Sequence, residues 1–104
     1  MKRKGFVYLL CDGEKFKIGM TTKSDIHERI SELQTGNPNE IFLAAYHKTN
    51  EPFKIERLMH MKYFGRRVKN EWFDLTAEDV VNFNKNCEHY EMILDSLKDN
   101  VFFS

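Results

Sequence analysis

Tyr8, Lys17, Arg29, Glu56, His60 and Glu71 are the residues of this 104-residue chain whose types and spacing lend themselves to chemistry. Tyr8 and Lys17 lie in two runs rich in β-formers, residues 5–11 and 14–20, separated by Asp12-Gly13, the dipeptide of a two-residue hairpin turn. That turn would set Leu9 against Phe16, Tyr8 against Lys17 and Val7 against Ile18. An ammonium beside a phenol favours phenolate, which would make Tyr8 a proton acceptor, although such pairs more often serve only as cross-strand contacts. Arg29 falls among Ile26, Ile30 and Leu33, close to the inward side of its helix, where a guanidinium wants a carboxylate or a phosphate. Asp25, one turn away, is the local alternative. Glu56 and His60 are four apart on one helix face, a spacing that presents two ligands to a metal or a ligand and a helper, but also one common among exposed pairs. Lys2, Arg3, Lys4, Lys15, Lys17, Lys23, Arg66, Arg67 and Lys69, with Tyr8, Tyr63 and Trp72 interleaved, resemble a nucleic-acid footprint, where the plainer reading is solvated surface.

The elements that must position these groups follow from the patterning. Alternation puts Val7, Leu9, Cys11, Phe16 and Ile18 on a core face of the hairpin, and Phe6, Tyr8, Leu10, Lys15, Lys17 and Gly19 on a mixed face suited to a site. Residues 24–35 read as a helix capped by Ser24 or Asp25 and stopped by Gly36-Asn37-Pro38. The apolar run 40–46 predicts a central or adjoining strand, and Asn50 with Pro52 opens a second helix. Residues 65–70 read as a basic loop and 71–75 as a short strand or irregular segment. Thr76 caps a long last helix whose stripe is Val80, Phe83, Cys87, Tyr90, Leu94 and Leu97. The expected fold is α+β, a small three-stranded mixed or antiparallel sheet flanked by helices in the order β-β-α-β-α-α.

At this length the expectation is one core and no second folded domain. Residues 1–73 carry 14 Lys/Arg against 9 Asp/Glu and residues 74–104 carry 2 against 7, so a net charge of zero conceals a basic part suited to an anionic partner and an acidic last helix. No apolar run reaches the roughly 18 residues of a membrane span, and no cleavage site follows the basic start, so the expectation is a soluble cytoplasmic protein. Cys11 and Cys87, 76 positions apart, fit no metal knuckle or CxxC spacing and read as buried thiols rather than nucleophiles. A Gly-rich phosphate loop, HExxH, GxSxG and a zinc quartet are all missing. Phe102 and Phe103 are apolar enough to fold back or meet a partner.

Taken in order, Phe6-Val7-Tyr8, Lys17-Ile18-Gly19, the helix with Arg29, Leu33-Gln34-Thr35-Gly36-Asn37-Pro38, Glu56-Arg57-Leu58-Met59-His60 and Glu71-Trp72-Phe73 together resemble the GIY-YIG nuclease superfamily, closest to its phage- and virus-rich subgroup with KIG and EWF motifs. The resemblance spans about residues 5–75, which gives a nuclease core of residues 1–75 with the acidic helix and apolar tail of residues 76–104 packed on it. It implies metal-dependent hydrolysis of DNA with one Mg²⁺ or Mn²⁺. Tyr8 then matches the first-motif tyrosine, Lys17 stands in place of the second, Arg29 is the phosphate-contacting arginine and Glu56 the metal ligand. Glu71 or Asn70 takes the place after the ligand helix, the EWF pattern favouring Glu71, and His60 is an auxiliary group. Tyr8 assisted by Lys17 would activate water. The implied setting is the cytoplasm of a bacterial or virus-infected cell, with a homodimer or protein partner docking through the last helix, Phe102 and Phe103. Two other functions fit the same residues: a non-catalytic nucleic-acid-binding module of this fold, and a phage protein-interaction factor acting through the tail.

Overall fold

The computed structural model describes residues 4–98, and Lys2, Arg3 and the tail phenylalanines Phe102 and Phe103 lie outside the described residues. Strand β1 (Gly5–Cys11) pairs antiparallel with β2 (Phe16–Thr21) on one side and β3 (Phe42–Thr49) on the other. Two short strands, β4 (Arg67–Lys69) and β5 (Trp72–Phe73), extend the sheet beyond β2 in the order β3-β1-β2-β5-β4. The sheet is thus five-stranded and wholly antiparallel. The basic stretch read as a loop is a 3-10 turn, Phe64–Arg66, followed by β4, and Asn70 turns the chain into β5 with a left-handed φ of 54°. Asparagine is among the few residues that adopt that conformation readily.

The β1–β2 register differs by two residues from the expected one. Asp12 Oδ1 accepts the backbone N–H groups of Glu14 (2.9 Å) and Lys15 (2.7 Å), and Asp12 N–H donates to Lys15 O at 3.1 Å. These bonds close a four-residue turn and hold the Asp12 carboxyl below the usual range, the Lys15 N–H first. A two-residue type I′ turn would need positive φ at both Asp12 and Gly13, and only Gly13 has it, at 100°. Cys11 therefore faces Phe16, Leu10 faces Lys17, Leu9 faces Ile18 and Tyr8 faces Gly19. A shift of two leaves the faces unchanged, so the expected core face survives while the Tyr8–Lys17 pairing does not.

Both faces of the sheet are covered. Helix α2 (Pro52–Lys62) and helix α4 (Phe83–Lys98) pack on Val7, Leu9, Ile18 and Phe73 through Ile55, Met59, Phe83 and Cys87. Helix α1 (Ile26–Thr35) covers Tyr8 and Leu10 with Ile26, Ile30 and Leu33. The mixed face is thus largely a second core. Asp25, not Ser24, caps α1 by accepting from His27 N at 3.0 Å. The loop after α1 is held chiefly by Gln34, whose amide donates to Asn39 O (2.8 Å) and accepts from Ile41 N (2.8 Å), with Asn37 Oδ1 accepting from Asn39 N at 3.0 Å.

Strand β3 is an edge strand, not a central one, with Phe42 and Tyr46 about half exposed. Helix α2 is preceded by Glu51 rather than Asn50 as its cap residue, with Pro52 in its first turn. The expected long last helix is two: α3 (Ala77–Val81), opened by a Thr76/Asp79 capping box, and α4, separated at Asn82. Cys87 is fully buried and its thiol is pushed up to about 12, burial being the largest cause, whereas Cys11 is only partly buried and accepts from Gly13 N. Among the described residues no helix is long and apolar enough to cross a membrane.

Candidate metal and phosphate site

Strand β5 covers only Phe16 and Lys17 of β2, and just past its end the polar groups of Ile18 need other partners. Ile18 N–H donates to Glu71 O at 3.1 Å, and Ile18 O accepts from His60 Nε2 at 2.8 Å. A carbonyl can only accept, so the Nε2 of His60 carries the proton. The imidazole is further fixed edge-on against Phe73, with ring centroids 5.0 Å apart and planes at 86°. Helix α2 thereby brings His60, and Glu56 one turn before it, to the uncovered stretch of the sheet.

Glu56, His60 and Glu71 each offer a ligand atom, and the three atoms lie within 4.8 Å of one another. Burial, then the nearby Glu71 carboxylate, pushes the Glu56 carboxyl up to about 7, with Lys17 acting in the opposite direction. Lys17 Nζ donates to Glu71 Oε2 at 2.8 Å and sits 5.7 Å from the centre of the Trp72 ring. Two carboxylates drawn together in a partly desolvated corner, with one ammonium and one imidazole, fit a divalent cation. Glu56 is the half-buried member of the cluster, and His60 and Glu71 offer donors beyond the single carboxylate expected.

On the other side of β2, the Tyr8 ring lies across Gly19. A Cβ there would come within 2.5 Å of the Tyr8 hydroxyl oxygen. This is the reason for a glycine after Lys17-Ile18. Tyr8 is buried, and burial raises its pKa despite an opposing hydrogen bond from Arg29. Lys17 does not activate it: the cation at its hydroxyl is Arg29, and Tyr8 stays a neutral phenol near neutral pH. Arg29 pairs with Glu32 (3.5 Å) rather than Asp25, whose side chain is taken by the cap. Glu56 and Glu71 both act on Tyr8 electrostatically, so the acidic cluster and the Tyr8–Arg29 pair are neighbours. Gly19 and the Ile18 carbonyl are the members that residue types alone do not flag; the signal for Gly19 is a glycine inside a strand pattern.

The predicted nucleic-acid contacts are more dispersed. Lys15 pairs with Asp74 (3.5 Å), Lys23 with Glu28 (3.5 Å) and Glu32 (3.4 Å), and Arg66 with Asp79 while covering the Tyr63 ring. Arg67 lies over Phe64 and Lys69 is exposed on β4. Tyr8 and Tyr63 are buried, so neither offers a face on which a base can stack, contrary to the interleaved aromatic footprint.

Comparison with curated proteins and with solved structures returns no match. A family model described as the T5orf172 domain matches residues 5–90, from the first residue of β1 through the uncovered edge of β2 and the Glu56–His60 turn into α4. With that span taking in the greater part of the chain and every residue of the cluster, the chain belongs to the T5orf172 domain family.

Proposed function

We propose that this domain is a divalent-metal-dependent endonuclease that hydrolyses DNA phosphodiester bonds, in the manner of the GIY-YIG nucleases it resembles. The observation that carries the reading is the convergence of Glu56, His60 and Glu71 within 4.8 Å, beside Lys17 and the Tyr8–Arg29 pair. Membership of a nuclease-associated phage domain family supports DNA as the substrate.

Glu56 would hold Mg²⁺ or Mn²⁺, with Glu71 and His60 as the further donors at hand. When bound, such an ion polarises a phosphoryl oxygen and lowers the pKa of a coordinated water. The protein's own groups do the rest. Arg29 offsets charge that grows on the phosphate oxygens, and its hydrogen bond to Tyr8 fixes the phenol. Tyr8, kept neutral by burial, serves as a hydrogen-bond donor that orients the attacking water rather than as a base. Lys17 holds Glu71 in place through their ion pair, and its charge limits repulsion between Glu71 and Glu56. His60 is locked by Ile18 O and Phe73, which fixes the helix turn carrying Glu56.

Calorimetric titration with Mn²⁺, followed by cleavage of branched and duplex DNA in the same buffer, tests this. The expected result is saturable metal binding that Glu56→Gln abolishes, with cleavage lost in parallel. Unchanged Mn²⁺ binding in Glu56→Gln would remove Glu56 as the ligand, and DNA binding without cleavage would favour a non-catalytic module.

A further inference from the structure

A cavity of about 280 Å³ opens where the β2–α1 loop approaches the ends of β1 and β3. Its lining includes Lys4, Phe6, Thr22, Lys23, Ser24 and Lys48. The topology explains the gathering: Phe6 pairs with Lys48 across β1–β3 and with Thr21 across β1–β2, so a β3 lysine and the loop after β2 face each other over one phenylalanine. None of the lining residues is a carboxylate. Among the described residues Lys4 and Lys48 enter no ion pair, and the Thr22 and Ser24 hydroxyls have no hydrogen-bond partner. Lys23 shares its charge with Glu28 and Glu32.

Two ammonium groups without ion pairs and two hydroxyls free to donate surround a hollow that no carboxylate lines. We propose that this hollow is a phosphate-binding subsite for a nucleic-acid strand, held by Lys4 and Lys48 with Thr22 and Ser24 as hydroxyl donors. Phosphate oxygens accept only, so a site of donors without competing carboxylates suits them. Phe6 and Tyr8 occupy the same face of β1 two residues apart, about 7 Å along the strand. The subsite is therefore adjacent to the Tyr8–Arg29 pair, positioned for a backbone phosphate beside the one at Arg29. The choice of a polynucleotide over a free phosphate rests on the nuclease reading.

The test is fluorescence anisotropy of labelled single-stranded and duplex oligonucleotides without divalent metal, over a range of salt. The full chain is compared with the Lys4→Gln/Lys48→Gln double variant and with Lys54→Gln/Lys62→Gln, which makes the same charge change on α2. We expect the Lys4/Lys48 variant to bind at least about tenfold more weakly and to flatten the salt slope by about 0.9 for each phosphate it no longer neutralises, against little change in the α2 variant. Equal weakening in both variants, or none in either, would overturn the subsite. Competition by millimolar inorganic phosphate or mononucleotide as effective as by oligonucleotide would also overturn it, by making the ligand a free anion. Because no cleavage is read, the expected binding pattern in a protein that cuts nothing would uphold the subsite while the nuclease reading failed. Unaltered affinity in the Lys4/Lys48 variant would overturn the subsite and leave the nuclease reading untouched.

Discussion

Replacing Gly19 with alanine tests the packing on which the Tyr8–Arg29 arrangement depends. The added Cβ would lie 2.5 Å from the Tyr8 hydroxyl oxygen, 2.6 Å from Cζ and 2.7 Å from Cε1, about 0.9 Å short of the 3.4 Å at which ordinary contact begins. Tyr8 is only 1% exposed, so the ring has no room to swing aside. Overpacking of this kind costs about 1–3 kcal/mol, while replacing a strand glycine by alanine returns about 0.5–1 kcal/mol. With the middle of each range taken, the net expectation is a loss of about 1 kcal/mol, read from the urea midpoint at unchanged slope. A 1 Å displacement of a positioned group also costs about a hundredfold in rate, so cleavage should fall more steeply than stability. Gly65→Ala is the control, because nothing lies within 4 Å of its Cβ. A Gly19→Ala protein as stable as wild type would refute the placement of the Tyr8 ring.

Other expectations can be checked in the same preparations. Gln34→Ala removes the clamp on the loop before β3 and leaves the Ile41 N–H without its partner, so a loss of about 1–3 kcal/mol is expected from urea denaturation, and one under about 0.5 kcal/mol would contradict the clamp. The Asp79 carboxyl is held at about 2 by the Arg66 guanidinium first, against an ordinary 3.8. A depressed carboxylate contributes stability that is complete above its unfolded pKa and lost as pH falls towards its folded pKa. The advantage of wild type over Asp79→Asn, about 1 kcal/mol after solvent screening, should therefore hold from neutral pH to about pH 4 and vanish near pH 2. An advantage independent of pH would contradict this pairing. With a disulfide-exchange reagent, Cys11 should react first and Cys87, buried with its thiol near 12, only on unfolding; two equally fast thiols in native protein would place Cys87 wrongly.

Alternation in residues 5–20 identified the two faces of the hairpin, because burial enforces side-chain parity. The register was beyond that signal: it depends on the Asp12 carboxylate capturing two backbone N–H groups, and a slip of two preserves every face. Helix α1 was legible from its apolar spacing and the glycine that ends it. Strand β5 falls within the segment 71–75 read as a short strand or irregular segment, whereas β4 is too short to show a period and the stripe from Val80 to Leu97 passes through Asn82 unchanged, so neither β4 nor the helix break was readable. The apolar run before Tyr46 suggested a central or adjoining strand; it adjoins β1, but among the described residues no strand lies on its far side, and Phe42 and Tyr46 are left half exposed. The residue types at the site were visible in the sequence. What was not visible was that Tyr8 lies over Gly19 and under Arg29, since that follows from the register and from how α1 crosses the sheet.

The most direct measurement is single-turnover nicking of supercoiled plasmid with Mg²⁺ or Mn²⁺, using wild type, Glu56→Ala and Tyr8→Phe purified in parallel. The account predicts cutting by wild type that a chelator abolishes, and losses of about a hundredfold or more in both variants. Equal cutting by all three proteins, or none by a folded wild type that binds DNA, would contradict it.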